Sequence, residues 1–201
     1  MLEEIRRSKC FVDIGANCGL YTVIGCTINP QVRVVAIEPV AKICEALKNN
    51  ISRNQYQMRT HVLNIALGDT NGTVPFHVAE NALMGSLNTN GYQGQPGEII
   101  QVECRTLDSI AEELNIEPDF LKIDVEGFED VVLRGAQTVL RRFRPRIILE
   151  ANPGDPCGEM NEILSAHGYE FSIITDGGPQ PRKEIIPEPG FRNWLCIARD
   201  R

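Results

Sequence analysis

Apolar runs of strand length alternate along this chain with segments whose apolar residues recur every three or four positions. That alternation predicts strand-helix-strand units around a parallel sheet. Cys10 to Ile14 (CFVDI) reads as the first strand, followed by a helix from about Leu20 to Ile28. Arg33 to Ile37 (RVVAI) reads as the second, followed by a helix that Pro39 can open and that runs to about Asn50. Thr60 to Leu67 is the third strand, and Asp119 to Asp124 (DFLKID) the fourth, with a helix over Phe128 to Phe143. Arg146 to Glu150 (RIILE) is the fifth strand, and a helix follows near Cys157 to His167.

Two stretches break the rhythm. Turn residues at Gly68 to Gly72 lead into an alternating TVPFHV segment and a polar, Gly-rich span from Glu80 to Gly97, an excursion over the rim of the sheet. EIIQVECR then reads as extended, and Thr106 is the expected N-cap of the next helix. At the other end, YEFSIIT and NWLCIAR are separated by proline-dotted sequence without helical pattern, so they should pair antiparallel as a hairpin. The fold class is therefore α/β. One domain over 1–201, with an insert at about 70–98, suits the length of 201 residues.

Charge narrows the partners. A net charge of -7 and an isoelectric point near 5.1 disfavour nucleic acid, whose affinity comes from clustered Lys and Arg. No apolar run has the length of a membrane span, and MLEEIRRSK lacks the core of a secretory signal. A soluble, cytoplasmic protein with a small-molecule partner is expected. Seven scattered cysteines without a Cys-x-x-Cys pair suggest reduced thiols rather than disulfides or zinc.

The loop after the first strand, DIGANCG, lies where the carboxyl edge of an open parallel sheet binds ligands. A dinucleotide fingerprint would be Gly-x-Gly-x-x-Gly. Here Asn17 and Leu20 stand where the second and third glycines would fall after Gly15. Asp-x-Gly-x-x-x-Gly suits a ligand without phosphate: a carboxylate for an ammonium group, Gly15 for close backbone access, Gly19 for tight helix packing. S-adenosylmethionine is such a ligand. Glu38, at the end of the second strand and about 20 residues on, suits two ribose hydroxyls. In FLKIDVEG, Lys122 and Asp124 share one strand face, with Glu126 two further. A central strand should be continuously apolar, so these charges point either to a structural ion pair or to chemistry at the ligand edge.

These residues together resemble an FkbM-type methyltransferase, a branch of the class I S-adenosylmethionine-dependent enzymes. The resemblance runs from about Cys10 to Arg199 through DIGANCG, IEP, IALGD, RTLDS, KIDVEGFE, VLRGA and RIILE. It implies a Rossmann-like, mostly parallel seven-stranded sheet with an antiparallel C-terminal strand and helices on both faces. It also implies O-methylation of a hydroxyl on a sugar or secondary metabolite. Carried over to matching positions, Asp13, Gly15, Ala16, Asn17 and Gly19 would surround the methionine part, Glu38 the ribose and Ala66 the adenine, with Asp124 beside both cofactor and acceptor. Ser86 and Glu150 are expected substrate contacts. Family members commonly have a longer segment ahead of the first strand, where nine residues stand here. That departure is compatible with a truncation or with an acceptor site shared in an oligomer.

Methyl transfer from a sulfonium needs alignment and proton removal more than activation of the leaving group. Asp124 is the expected base or acceptor-orienting group and Glu126 the next candidate. Lys122 is expected to hold that carboxylate or favour an ionised hydroxyl. Asp124, Glu150 and Asn152 offer oxygen ligands to a divalent metal, but a metal-free strand edge is the preferred reading. His61, His77 and His167 are expected to be structural or surface residues, and Cys18 a small filler. The ALMGSLN stretch suits either a lid over the acceptor or a packing flap. Competing readings are a nicotinamide-dependent oxidoreductase, an RNA methyltransferase, and a noncatalytic module of the same fold. The failed glycine pattern, the acidic charge and the intact candidate site respectively count against them.

Overall fold

The computed structural model describes residues 1–78, 85–86 and 98–199, with only the backbone at 85–86. Its elements in chain order are α1 (Leu2–Arg7), β1 (Cys10–Ile14), α2 (Leu20–Ile28), β2 (Arg33–Ile37), α3 (Ala41–Arg53), β3 (Thr60–Leu63), β4 (Ala66–Leu67), β5 (Gly72–Val78) and β6 (Gly85–Ser86). They continue as β7 (Glu98–Arg105), α4 (Leu107–Glu113), β8 (Phe120–Ile123), α5 (Glu129–Arg134), α6 (Gln137–Arg142), β9 (Arg146–Glu150), α7 (Cys157–Ala166), β10 (Tyr169–Thr175), β11 (Gly178–Arg182) and β12 (Asn193–Ala198).

The main sheet has the order β11-β10-β12-β9-β8-β1-β2-β3. Parallel pairing joins β3, β2, β1, β8 and β9, while β12 runs antiparallel between β9 and β10. β1 is fully buried along its length, in register with β2 on one side and β8 on the other. The chain leaves β1 toward β2 on one flank and returns as β8 on the other, which opens a crevice at the carboxyl ends of these three strands. One face of the sheet is covered by α4 to α7 through a core including Val12, Leu121, Leu133, Val139 and Trp194. The opposite face is closed around Ile5, Phe11, Phe120 and Ile148, where the Phe11 and Phe120 rings stack at 5.1 Å.

Several expectations are refined. Thr60 to Leu67 is not one strand: it breaks after Leu63, and Ala66–Leu67 joins a second, four-stranded sheet of order β4-β7-β5-β6. Asn64 makes the break, its amide donating to the carbonyls of Glu38 and Pro39. The second sheet rests Phe76, Val102 and Cys104 against Val40 and Ile43 of the α3 region, so the excursion builds one wall of the crevice. The span from Phe128 to Phe143 is two helices, interrupted where Gly135 passes so close to Gly68 that a Cβ would meet its carbonyl oxygen at 1.9 Å.

Among the described residues the main sheet has eight strands rather than seven. The unexpected one, β11 (GPQPR), pairs with the outer edge of β10 within the connection to β12. The two C-terminal runs still pair antiparallel as expected. The first residues, too few for periodicity to show, form α1, held by an ion pair of Glu4 with Arg146 at 3.0 Å. Pro39 precedes the helix it was expected to open, which starts at Ala41. Thr106 caps α4 as expected, its hydroxyl accepting the Ser109 N–H at 3.1 Å.

Candidate functional site

The crevice, about 710 Å³ when the open solvent at its mouth is included, is lined by the β1 loop (Ile14, Gly15, Asn17), the β2 end (Ile37, Glu38, Pro39), Ala66 and Phe76 from the second sheet, and Asp124, Val125 and Glu126 after β8. The β1 loop is set by backbone geometry. The amides of Gly15 and Ala16 both donate to the Ile37 carbonyl. Gly15 has φ +74° and passes so near β8 that a Cβ there would lie 1.9 Å from the Asp124 carbonyl oxygen. No other residue fits that approach.

Glu38 is 6% exposed, and its two carboxylate oxygens accept from Asn17 N at 3.0 Å and Val40 N at 2.9 Å. It thus ties the β1 loop to the entry of α3. A carboxylate has about four acceptor sites, so two bonds leave capacity for ligand hydroxyls. Burial pushes its pKa up from the ordinary carboxylate value, opposed by the two amides.

Beneath the crevice lies a charged row. Lys122 Nζ stands 3.1 Å from Asp124 Oδ2 and 3.7 Å from Asp13 Oδ1, with the Tyr21 ring centroid at 5.1 Å. Asp13 Oδ2 accepts the Thr22 hydroxyl at 2.6 Å. Burial opposes the charge on Lys122, but Asp13 and Asp124 outweigh it and hold the ammonium above its ordinary pKa. The Asp13 carboxyl is pushed up by burial, against the opposing pull of Lys122 and Thr22.

Asp13, expected beside the methionine part, does not itself line the crevice. Its carboxylate is 0% exposed and turned to Lys122 and Thr22, because strand β1 is covered on both faces. Ala16 is also buried and outside the lining, and Gly19 lies against Leu47 of α3. Gly15, Asn17, Glu38, Ala66, Asp124 and Glu126 are brought together around the crevice, with Lys122 just below. The Ser86 side chain and most of the ALMGSLN segment lie outside the described residues. None of the three histidines lines the crevice.

Glu150, at the end of β9, joins this group from the side: oxygens of Asp124, Glu126 and Glu150 lie within 4.8 Å of one another. Burial and the Asp124 carboxylate push the Glu150 pKa up to about 7, with Glu126 adding to the rise and Arg192 opposing it. Glu126 is likewise raised, by burial first and by Asp124 next. Three oxygens at this spacing are compatible with a hard cation or with a hydrogen-bonded, proton-sharing cluster.

One residue of the KIDVEGFE motif makes contacts at the site that the sequence does not assign. Glu129, the first residue of α5, is 1% exposed and reaches back to accept Val125 N and Gly127 N, each at 3.1 Å. It closes the KIDVEGFE stretch that carries the resemblance, but its spacing in GFED resembles any acidic helix start, so the stretch gives it no role of its own.

A mostly parallel sheet of this order, with β12 and the edge strand β11 reversed and a glycine loop facing an acidic strand end, is the class I methyltransferase fold. The family profile described as the methyltransferase FkbM domain matches residues 13–171, and the chain belongs to this family. AMB antimetabolite synthetase AmbE of Pseudomonas aeruginosa is 29% identical over 234 residues, covering 94% of this chain. The 31-O-demethyl-FK506 methyltransferase FkbM of Streptomyces tacrolimicus is 27% identical over 205 residues, covering 88% of this chain and 77% of its own length. The crystal structure of methyltransferase FkbM from Methylobacillus flagellatus KT superposes with a TM-score of 0.66 at 21% identity, over 94% of this chain and 44% of that one. The chain thus spans 11% of the length of AmbE and less than half of the M. flagellatus protein.

Proposed function

We propose that this methyltransferase-family chain uses S-adenosylmethionine to methylate a hydroxyl oxygen of a small molecule, a sugar or a related metabolite. The observation that carries the reading is the pairing of two carboxylates across one crevice. Glu38 has acceptor capacity left at the β2 end, and Asp124 is oriented by a buried lysine at the β8 end. Gly15, Asn17 and Ala66 between them leave room for a nucleoside lying along the strand ends. When bound, the cofactor supplies an activated methyl group on a sulfonium.

The chain's own residues would then do the rest. Glu38 would accept hydrogen bonds from the ribose hydroxyls. Asp124 would orient the acceptor hydroxyl and take its proton, with Glu126 beside it and Glu150 available as a further acceptor of hydrogen bonds. Lys122 keeps the Asp124 carboxylate in one rotamer and stabilises negative charge developing at the acceptor oxygen. Nothing in this arrangement requires a metal; titration of turnover with a chelator would reveal one.

Calorimetric titration with S-adenosylhomocysteine (SAH), and in parallel with NAD, tests the cofactor. SAH alone is expected to bind, and Glu38→Ala to weaken it by about 10- to 100-fold through loss of charge-assisted hydrogen bonds. Binding of NAD alone, or an unchanged affinity in the variant, would overturn the assignment.

A further inference from the structure

The turn after β8 presents Asp124 and Glu126 to the crevice in a conformation that the chain does not adopt freely. Glu126 has φ +53° and Gly127 φ +90°. For glutamate the left-handed region is costly, on the order of 1 kcal/mol or more, so the turn must be held from elsewhere. The hold is Glu129. Its two oxygens go to two different amides, Oε1 to Val125 and Oε2 to Gly127, which bracket the strained residue. Both amides would otherwise lie without a strand or helix partner, between the end of β8 and the start of α5.

The surroundings leave the carboxylate no other task. Glu129 is 1% exposed, does not line the crevice, and makes no ion pair within 4 Å among the described residues. Burial pushes its pKa up to about 8, opposed by the Val125 amide and its own backbone amide and assisted by Asp155 and Asp124. A buried carboxyl without a cation is expensive. A helix start needs no buried glutamate, since an exposed one serves the dipole equally.

We propose that Glu129 is a positioning residue: by clamping the amides on either side of Glu126 it fixes the turn that aims Asp124 and Glu126 into the crevice. The inference rests on the proposed methyltransferase site for the use of those two carboxylates, and on hydrogen bonds alone for the clamp. Two consequences separate clamping from mere packing. The Val125 and Gly127 amides should sense the charge of one carboxyl group. They should also loosen together when one of its oxygens is replaced by a donor.

The test uses the full chain and the near-isosteric Glu129→Gln, whose side chain can accept from one amide but turns an NH₂ toward the other. In the parent chain, the amide proton resonances of Val125 and Gly127 are expected to shift together with pH along one titration curve, and in Glu129→Gln to stay flat. Exchange of these two amides is expected to quicken about tenfold in the variant, the worth of one lost hydrogen bond. The Asn17 and Val40 amides, held by Glu38, should keep their parent rates. SAH affinity is expected to fall several-fold with it.

Independent titration of the two resonances, persistence of their shift in Glu129→Gln, or equal loosening at Asn17 and Val40 would each overturn the clamp. Should Glu129→Gln fold poorly, the parent titration alone still decides. Failure of the parent chain to bind SAH would instead overturn the cofactor reading, while a common titration curve at Val125 and Gly127 would still support the clamp.

Discussion

Replacing Asp124 by asparagine keeps its size and removes the charge that Lys122 holds in place. With an acceptor found by screening, release of SAH is expected to slow by about 10²- to 10⁴-fold, the usual worth of a general base; full turnover would take Asp124 out of the reaction. Gly15→Ala is expected to abolish SAH binding and lower the melting temperature, since its Cβ would collide with the Asp124 carbonyl at a positive φ. At this scale the sequence carried the strand-end residues well. Period-two spacing puts Lys122 and Asp124 on one face, and they meet at 3.1 Å. Strand-end position brings Glu38 to the crevice. For Asp13 the alternation marks a polar residue in an apolar strand, but not that β8 would set the Lys122 ammonium 3.7 Å from it. Glu129 stands in the KIDVEGFE motif, but its contacts are illegible there because its partners are backbone amides, which every residue but proline possesses.

Between elements, two joints fix where helices begin and break. The Thr106 cap starts α4, and Thr106→Ala is expected to cost about 1 kcal/mol in urea denaturation. The second joint is Gly135, between α5 and α6, pressed on the Gly68 carbonyl. There Gly135→Ala should destabilise by more than about 2 kcal/mol, as overpacking against backbone does. Strands buried on both faces were read to within a residue, because continuous apolar runs admit few alternatives. The failures have physical causes. β11 is an edge strand whose residues are mostly exposed, so no alternation marks it. The break at Asn64 depends on side-chain bonds to Glu38 and Pro39 carbonyls, far away in sequence. The interruption of the long helix depends on a neighbour, Gly68, that periodicity does not contain.

For the molecule as a whole, burial of acidic groups near the crevice makes stability a function of pH. The folded-state pKa values of Glu129 and Glu150 are raised to about 8 and about 7, against 4.5 in the unfolded chain. The folded state therefore binds more protons between these limits, and the stabilisation present at low pH is lost as pH rises through 7 and 8. Urea midpoints are expected to fall from about pH 5.5 to about pH 8.5, and Glu150→Gln to flatten part of that slope; a rising midpoint would refute the assignment. The main sheet ends at β11, where Pro179 and Pro181 remove two amides from the last strand and so discourage strand addition by other chains.

The lysine threaded between Asp13 and Asp124 has a consequence for any lineage of this chain under selection. Removing Lys122 alone is expected to strand a buried carboxylate, at about 3–5 kcal/mol, whereas exchanging Asp13, Lys122 and the Thr22 hydroxyl together for apolar groups of similar volume is expected to cost far less. Repeated laboratory evolution for heat resistance alone, without demand for turnover, is therefore expected to reach that combined exchange rather than the loss of Lys122 alone. The survivors would be sturdier, and loss of the proposed turnover in them would tie that ion pair to the reaction.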